Sequence, residues 1–487
     1  MKFPFNFSLG VAGALLGGAL LVGCGGSDNG SDPTPTPPTT PPTPAGPSQV
    51  ALWLTIPSDA ATRFYKTTQA LNFQTAIRQS TVISIDTTQT FQTIDGFGYS
   101  LTGGSAQLIN QMSASARADL LKSLFATDES NIGTSYLRLS IGASDLDARP
   151  FTYDDATQPD PTLAQFSLAP DRTHLIPVLK EILAINPNIK LLGSPWTAPP
   201  WMKTNNSYIG GSLKPEYYSA YAQYFVKYLQ GMQAEGIRLD AVTLQNEPLH
   251  GGNEPSMLMT AAEQATFVRD FVGPAFRAAG LTTKIILYDH NLDVPDYPLS
   301  ILRDPQASQY VDGSAFHLYA GDISAMTAVH NAFPNKNVYF TEQWIGGPGN
   351  FAGDFGWHMD NLIIGAPRNW SRNVLEWNLA SDQNYGPRTP GGCSNCLGAV
   401  TITGNTVTRN TAYYTIAHAA KFVRPGSVRI GSNTPGNLPN VAFKTLDGKK
   451  VLIVLNKSAA NQSFDIEYRG KTVATQLAGG AAGTYVW

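Results

Sequence analysis

Two glutamates carry the chemistry that this sequence suggests. Glu247 sits in Leu244-Gln245-Asn246-Glu247-Pro248 and Glu342 in Tyr339-Phe340-Thr341-Glu342-Gln343-Trp344, each at the end of an apolar run. A lone glutamate at a strand end is most often a cap or an ion-pair partner. Here there are two, both flanked by hydrogen-bonding residues, and Pro248 fixes the turn after the first. They read as a pair of acids at one rim of a barrel. Glycosidic cleavage uses such a pair, one carboxylate as acid/base and one as nucleophile. A gap of about 5 Å lets the second attack the anomeric carbon directly and retain configuration; a wider one admits a water and inverts it.

Such a pair needs elements to hold it. The segment 94–420 alternates strand and helix patterns. Strand candidates are 94–98, 135–140, 189–194, 241–245, 284–288, 313–317, 338–341 and 374–377, with helical patterns between them, as at Tyr217 to Met232 and Ala261 to Ala278. Eight β-then-α units of this kind predict an α/β fold, the (β/α)8 barrel, whose active site lies at the strand C-termini. A doubly wound open sheet is the competing arrangement, but no Gly-x-Gly-x-x-Gly opens a helix after a first strand. On this count Glu247 ends the fourth strand and Glu342 the seventh. Other strand ends add Trp196 (third), His317 and Tyr319 (sixth) and Trp377 (eighth), while Asp145 follows the second. Aromatic faces of this kind stack on sugar rings, although any single Trp or Tyr is as readily a core residue.

The chain ends differ from the middle. Residues 49–93 and 421–487 hold short alternating runs separated by Gly, Asn and Asp turns, which predict one β-sandwich built from both termini. Before them, Lys2 precedes an apolar stretch from Phe3 to Val22 that ends in Leu21-Val22-Gly23-Cys24. This reads as a bacterial lipoprotein signal, residues 1–24, with Cys24 lipidated; an ordinary secretory signal or a spanning helix is the alternative. Residues 25–48, rich in Pro and Thr, read as a tether. Localisation at the cell envelope, facing periplasm or exterior, follows. Cys393 and Cys396 remain, and in an oxidising compartment their Gly-rich loop favours a local disulfide. A redox motif would want a helix after the pair, and a zinc site two further ligands.

With 487 residues, 42% hydrophobic, 14% charged and a net charge of -3, the chain has ample core but no basic run, which removes the electrostatic basis for nucleic-acid binding. No protein partner is indicated.

The stretches Asp95-Gly96-Phe97-Gly98, Arg138-Leu139-Ser140, Ser194-Pro195-Trp196-Thr197, Asn246-Glu247-Pro248, His317-x-Tyr319, Glu342, Trp377-Asn378-Leu379 and Thr484-Tyr485-Val486-Trp487, in this order, resemble glycoside hydrolase family 30. That family includes glucosylceramidases and endo-β-1,6-glucanases. The resemblance implies a retaining β-glycosidase with Glu247 as acid/base and Glu342 as nucleophile. It implies that Asn246 holds the sugar 2-hydroxyl and that Asp145, Trp196 and Trp377 bind the same sugar. His317 and Tyr319 would support the nucleophile. Neither metal nor cofactor is required. The substrate would be a β-glucoside, a β-glucan or a glycosphingolipid, with the membrane engaged through the lipid anchor only. Three departures bear on substrate: Leu101-Thr102-Gly103-Gly104 replaces a Thr-Asp pair of glucosylceramidases, Leu318 replaces a Trp, and the loop Gly391 to Gly398 looks like that of the glucanases. A non-catalytic carbohydrate-binding lipoprotein is the other class of function, against which two intact glutamates argue.

Overall fold

The computed structural model describes residues 49–76 and 79–487; the signal, Cys24 and the tether lie outside the described residues. The described chain falls within one compact unit, Gly46–Trp487.

Eight parallel strands close into a barrel: β1 (Gly96–Leu101), β2 (Tyr136–Ile141), β3 (Lys190–Pro195), β4 (Ala241–Thr243), β5 (Lys284–Asn291), β6 (Val311–His317), β7 (Asn337–Glu342) and β8 (Ser371–Asn378), with β8 pairing back to β1. They are buried on both faces, which explains apolar runs such as Lys-Leu-Leu-Gly-Ser-Pro rather than strict alternation. The intervening helices show one apolar stripe each. Leu175–Ile185 buries Leu175, Ile176, Val178, Leu179 and Ile182, and Tyr218–Ala234 buries a row of aromatics that includes Tyr221, Tyr224, Phe225 and Tyr228. Local signals set their starts: Ser113 caps Ala114–Phe125, and Thr260 with Glu263 forms a capping box on Ala261–Phe267.

Nine strands from both ends form a second sheet, in the order Lys471–Leu477, Gln462–Tyr468, Val82–Thr93, Val428–Ser432, Asn440–Lys444, Lys450–Leu455, Ala482–Val486, Ala51–Thr55 and Tyr65–Lys66. It closes over its own core of Leu52, Ile83, Leu452, Val454, Phe464 and Tyr485 as the β-sandwich. Alternate residues of the same strands, among them Val441, Phe443, Val451 and Ile453, pack instead into the barrel core. The helix Thr411–Ala420 joins the two, with His418 hydrogen-bonded to Thr55 at 2.8 Å and to Thr484 at 2.9 Å.

Among the described residues no helix is long and apolar enough to cross a membrane.

Candidate active site

Two layers of side chains fill the barrel. The lower is apolar, with Tyr136, Leu192, Ala241, Ile286, Ala315, Tyr339 and Leu375 contributed by β2 to β8. Two residues further along the strands the side chains point inward again, and apart from Trp377 on β8 the layer becomes polar, with Arg138, Ser194, Thr243, His317 and Thr341. On β5 the step from Ile286 would reach Tyr288. A bulge between Tyr288 and His290 intervenes, with Tyr288 at φ 72° and Asp289 at φ 66°, and turns Asp289 inward instead.

Asp289 is the hub of this layer. It accepts from Arg138 Nη2 (2.8 Å), Ser194 Oγ (3.0 Å) and Thr243 Oγ1 (2.7 Å) on Oδ2, and from His317 Nε2 (3.1 Å) and Thr341 Oγ1 (2.6 Å) on Oδ1. Burial pushes its carboxyl up, but the Arg138 charge and the donors from His317 and Thr341 outweigh this and hold it well below the usual carboxylate range.

The two glutamates stand above the hub. Glu342, the last residue of β7, accepts from Arg138 Nη1 at 2.6 Å and from the Tyr319 hydroxyl at 2.9 Å. Glu247 lies four residues past β4, where Pro195 and Asp289 accept the amide protons of Asn246 (2.8 Å) and Glu247 (3.0 Å). Its φ of 46° is left-handed, a conformation that costs a non-glycine residue about 1–3 kcal/mol and is retained where the surroundings enforce it. His317 Nδ1 donates to Glu247 Oε1 at 3.1 Å. The facing carboxylate oxygens of Glu247 and Glu342 lie within 4.8 Å of each other.

Burial opposes a charge on His317, but Glu342, Asp289 and Glu247 around it push it up to about 9. It is therefore an imidazolium at neutral pH, donating from both nitrogens. Glu247, His317 and Glu342 are close enough together to share a metal ion, yet an imidazolium has no lone pair to give one. His317 Nδ1 stands between the two glutamates, 3.1 Å from Glu247 Oε1 and 3.7 Å from Glu342 Oε1. Burial raises Glu342, with the charge of Glu247 adding and His317 and Arg138 opposing. Burial acts to raise Glu247 too, but the hydrogen bond and charge of His317 pull it lower. Taken singly these directions would favour a proton on Glu342. The hydrogen bonds favour the reverse, and we assign the proton to Glu247. Both oxygens of Glu342 accept from committed donors that a carboxylate satisfies best, whereas among the described residues Glu247 accepts from His317 alone.

A cavity of about 270 Å³ opens above the pair. Trp196 and Trp377 stack in its wall, ring centroids 5.3 Å apart, with the Arg138 guanidinium 4.8 Å from the Trp196 ring. Asn246 Oδ1 accepts from Arg138 Nη2 at 2.6 Å, which leaves its NH2 as a donor. Asp145 is buried on the far side, and burial pushes its carboxyl up to about 7. A larger cavity, about 490 Å³, lies elsewhere between the helix Ala114–Phe125 and the hairpin at 400–409; Asp119 and Arg409 line it, without a carboxylate pair.

Residues 94–423 match the glycosyl hydrolase family 30 TIM-barrel domain, and residues 426–485 match the family 30 beta sandwich domain. The chain belongs to glycoside hydrolase family 30. It is 38% identical over 393 residues to an endo-1,6-beta-D-glucanase of Aspergillus fumigatus, covering 75% of this chain and 78% of that one. It is 30% identical over 411 residues to the lysosomal acid glucosylceramidase of Mus musculus, covering 79% of each. The solved endo-beta1,6-glucanase BT3312 superposes with a TM-score of 0.84 at 36% identity, over 90% of this chain and 99% of that one. This family 30 chain is a glycosidase.

Of the residues singled out from sequence, the family 30 cavity brings together Asp145, Trp196, Asn246, Glu247, Tyr319, Glu342, Trp377, Cys393 and Cys396. The last two are joined as a disulfide. His317 is placed differently: it lies beneath the cavity, fully buried, and touches carboxylates rather than the space a sugar would fill. Sequence reasoning missed Asp289, His290, Asn253 and Trp344, and gave Arg138 no role. Arg138 did carry a signal, since an arginine inside Tyr-Leu-Arg-Leu-Ser-Ile must find acids when the strand is buried. His290 lies 4.0 Å from Glu247, and burial lowers it to about 4, so it is neutral beside that carboxylate.

Proposed function

We propose that this glycosidase cleaves β-1,6-linked glucan with retention of configuration. The approach of the Glu247 and Glu342 carboxylate oxygens to within 4.8 Å carries the retaining half of the reading, because a water-activating pair stands roughly 6.5–9.5 Å apart. The likeness to two endo-β-1,6-glucanases at 36–38% identity supports the glucan half.

The residues then act as follows. A glucosyl unit enters the cavity with its ring against the Trp196–Trp377 wall and its hydroxyls toward Asp145 and Asn246. Glu247 delivers its proton to the leaving oxygen while Glu342 Oε1, aimed by Tyr319, attacks the anomeric carbon. Arg138 holds Oε2 and so fixes the attack direction. With Glu342 neutral as the glycosyl ester, Glu247 ionises without like-charge repulsion and then takes a proton from the water that releases the sugar. His317 stabilises Glu247 at this stage, when it carries charge.

A second reading, glucosylceramide hydrolysis, is favoured by the 30% identical mouse glucosylceramidase. Digestion of gentio-oligosaccharides, a β-1,6-glucan and glucosylceramide in parallel decides between them; a rate on glucosylceramide above that on the glucan refutes the first. Proton NMR of the first-formed product should show the β-anomer, and the α-anomer refutes retention. We further propose that Cys24 is lipidated and that the tether 25–48 holds the enzyme at the cell envelope, where a polymeric glucan is accessible. Radiolabelled palmitate incorporation that survives Cys24→Ala refutes this.

A further inference from the structure

The loop that follows β8 wraps over the rim of the cavity and is stitched to three neighbours. Gly391 N–H donates to Glu254 Oε2 at 3.0 Å in the loop after β4. Gly347 N–H donates to Asn395 O at 2.7 Å, and Leu397 N–H to Ile345 O at 3.0 Å, in the loop after β7. The tightest stitching is to Asp145 after β2. Thr389 N–H donates to its carbonyl at 2.9 Å and Cys393 N–H to its Oδ2 at 3.1 Å. Gly392 lies so close that a Cβ there would come within 2.2 Å of the same carbonyl oxygen. The Cys393–Cys396 bridge sits between these stitches. Cys396 is buried and packs with Trp196 and Trp377, and Cys393 and Trp344 close the cluster from outside.

We infer that the Cys393–Cys396 bridge is a positioning element for sugar binding, which holds the Cys393 amide on Asp145 and backs the Trp196–Trp377 wall. This rests on the reading of the cavity as the site of the sugar being cleaved. A bridge that served only to stabilise the fold would not need to touch both of the groups that grip the sugar. Four-residue closure removes little chain entropy from the unfolded state, so its effect falls on the local geometry. Asp145 is the sensitive point: an amide N–H on a buried carboxylate is a strong, directional contact, and it depends on where residue 393 is held. The bridge lines the same cavity as Glu247 and Glu342, but the two carboxylates are held from below by Arg138 and His317 rather than by the bridge.

The test compares wild type, Cys393→Ala/Cys396→Ala, Asp145→Asn and the triple variant on 4-nitrophenyl β-glucoside. Loss of the bridge should raise KM about fivefold or more, with the larger part of the lost kcat/KM in KM rather than kcat. Asp145→Asn should add less than about threefold to KM once the bridge is gone, because both changes weaken one shared contact, the Cys393 N–H on Asp145. Wild type reduced with a phosphine, which gives two electrons to the S–S bond and leaves two thiols, should match the bridge-free variant, which the phosphine should not alter. If the variant fails to fold, the reduced wild type, with its circular dichroism unchanged, carries the comparison. A KM within about twofold of wild type without the bridge, or effects of the bridge and Asp145→Asn that multiply fully, overturns the inference. A wild type that neither hydrolyses nor binds the glucoside overturns the functional reading and this inference with it.

Discussion

Asp289→Asn keeps the shape of the hub and removes its charge. Every partner of Asp289 donates to it, and the two cations lie on opposite oxygens, Arg138 on Oδ2 and His317 on Oδ1. An asparagine must turn its NH2 toward one of them, so one cationic N–H faces a donor whichever way the amide sits. Breaking one side of a buried ion pair costs about 3–5 kcal/mol. If that cost is felt by the Arg138–Glu342 contact at the transition state, kcat/KM falls by about 10²–10⁴ at 1.36 kcal/mol per decade. Stability supplies a second readout. The pKa of His317 is raised from 6.5 to about 9 in the fold. Its contribution is therefore complete below pH 6.5 and is lost as pH rises through 9, a span worth about 3 kcal/mol. Without the Asp289 charge that span shrinks, so the gap in urea midpoint between wild type and Asp289→Asn should be widest near pH 6.5 and should narrow by pH 9. Hydrolysis of 4-nitrophenyl β-glucoside within about tenfold of wild type, together with a pH-independent stability gap, would refute the view that Asp289 holds the catalytic layer through charge.

Three further outcomes follow from the same geometry. Glu342→Gln should lower kcat by at least about 10³ on every β-glucoside, and an unaltered rate by spectrophotometric assay rejects it as nucleophile. Glu247→Gln should cost about 10²–10⁴ on an alkyl glucoside that needs the proton. On 2,4-dinitrophenyl β-glucoside, whose leaving group needs none, it should instead give a burst followed by slow turnover, visible in stopped-flow; equal losses on both substrates contradict the acid/base role. Asp145 has a folded pKa raised from 3.8 to about 7, so wild type loses stability as pH rises through that window. Asp145→Asn should remove the loss and stabilise the fold at pH 8 by up to about 4 kcal/mol while raising KM; a variant less stable than wild type at pH 8 in urea denaturation counts against a buried ionised carboxylate there.

The barrel was legible because its strands are buried on both faces, so each stands out as an apolar run whose end marks the rim. That places Glu342, Trp377 and His317 directly, since they terminate β7, β8 and β6 or nearly so. Glu247 was visible for a different reason: the run carries on past the paired strand, which ends at Thr243, and Pro248 marks its turn. Asp289 was not legible. Counting by two from Ile286 puts it on the outer face, and only the bulge at Tyr288 reverses that parity. Nothing in Leu-Tyr-Asp-His-Asn announces a bulge, because the left-handed residues there are Tyr and Asp rather than glycine. The Cys393–Cys396 pair was visible, but its contact with Asp145 joins residues 248 positions apart, and no local pattern encodes it. His317 ends β6 and lies 3.7 Å from Glu342, but its strand position could not show that it stands below the cavity rather than in its wall.

In the proposed double displacement, the charges in the buried layer explain how one scaffold can set two glutamates to opposite tasks. Arg138 and His317 supply two positive charges, and Asp289 one negative, all fully buried. With both glutamates ionised the cluster would carry one net negative charge in a medium that solvates it poorly; with neither ionised, one net positive. It is neutral when the pair Glu247 and Glu342 holds a single proton, which is the state a double displacement starts from. Formation of the glycosyl ester consumes the charge on Glu342 as Glu247 gives up its proton, so the count is again neutral after the first step. His317 lies 3.1 Å from Glu247 and 3.7 Å from Glu342, and can favour whichever carboxylate is charged at each stage. The cations are thus matched to the sum of the two glutamates rather than to either one, and the division of labour between them is left to Arg138 and Tyr319, which both donate to Glu342.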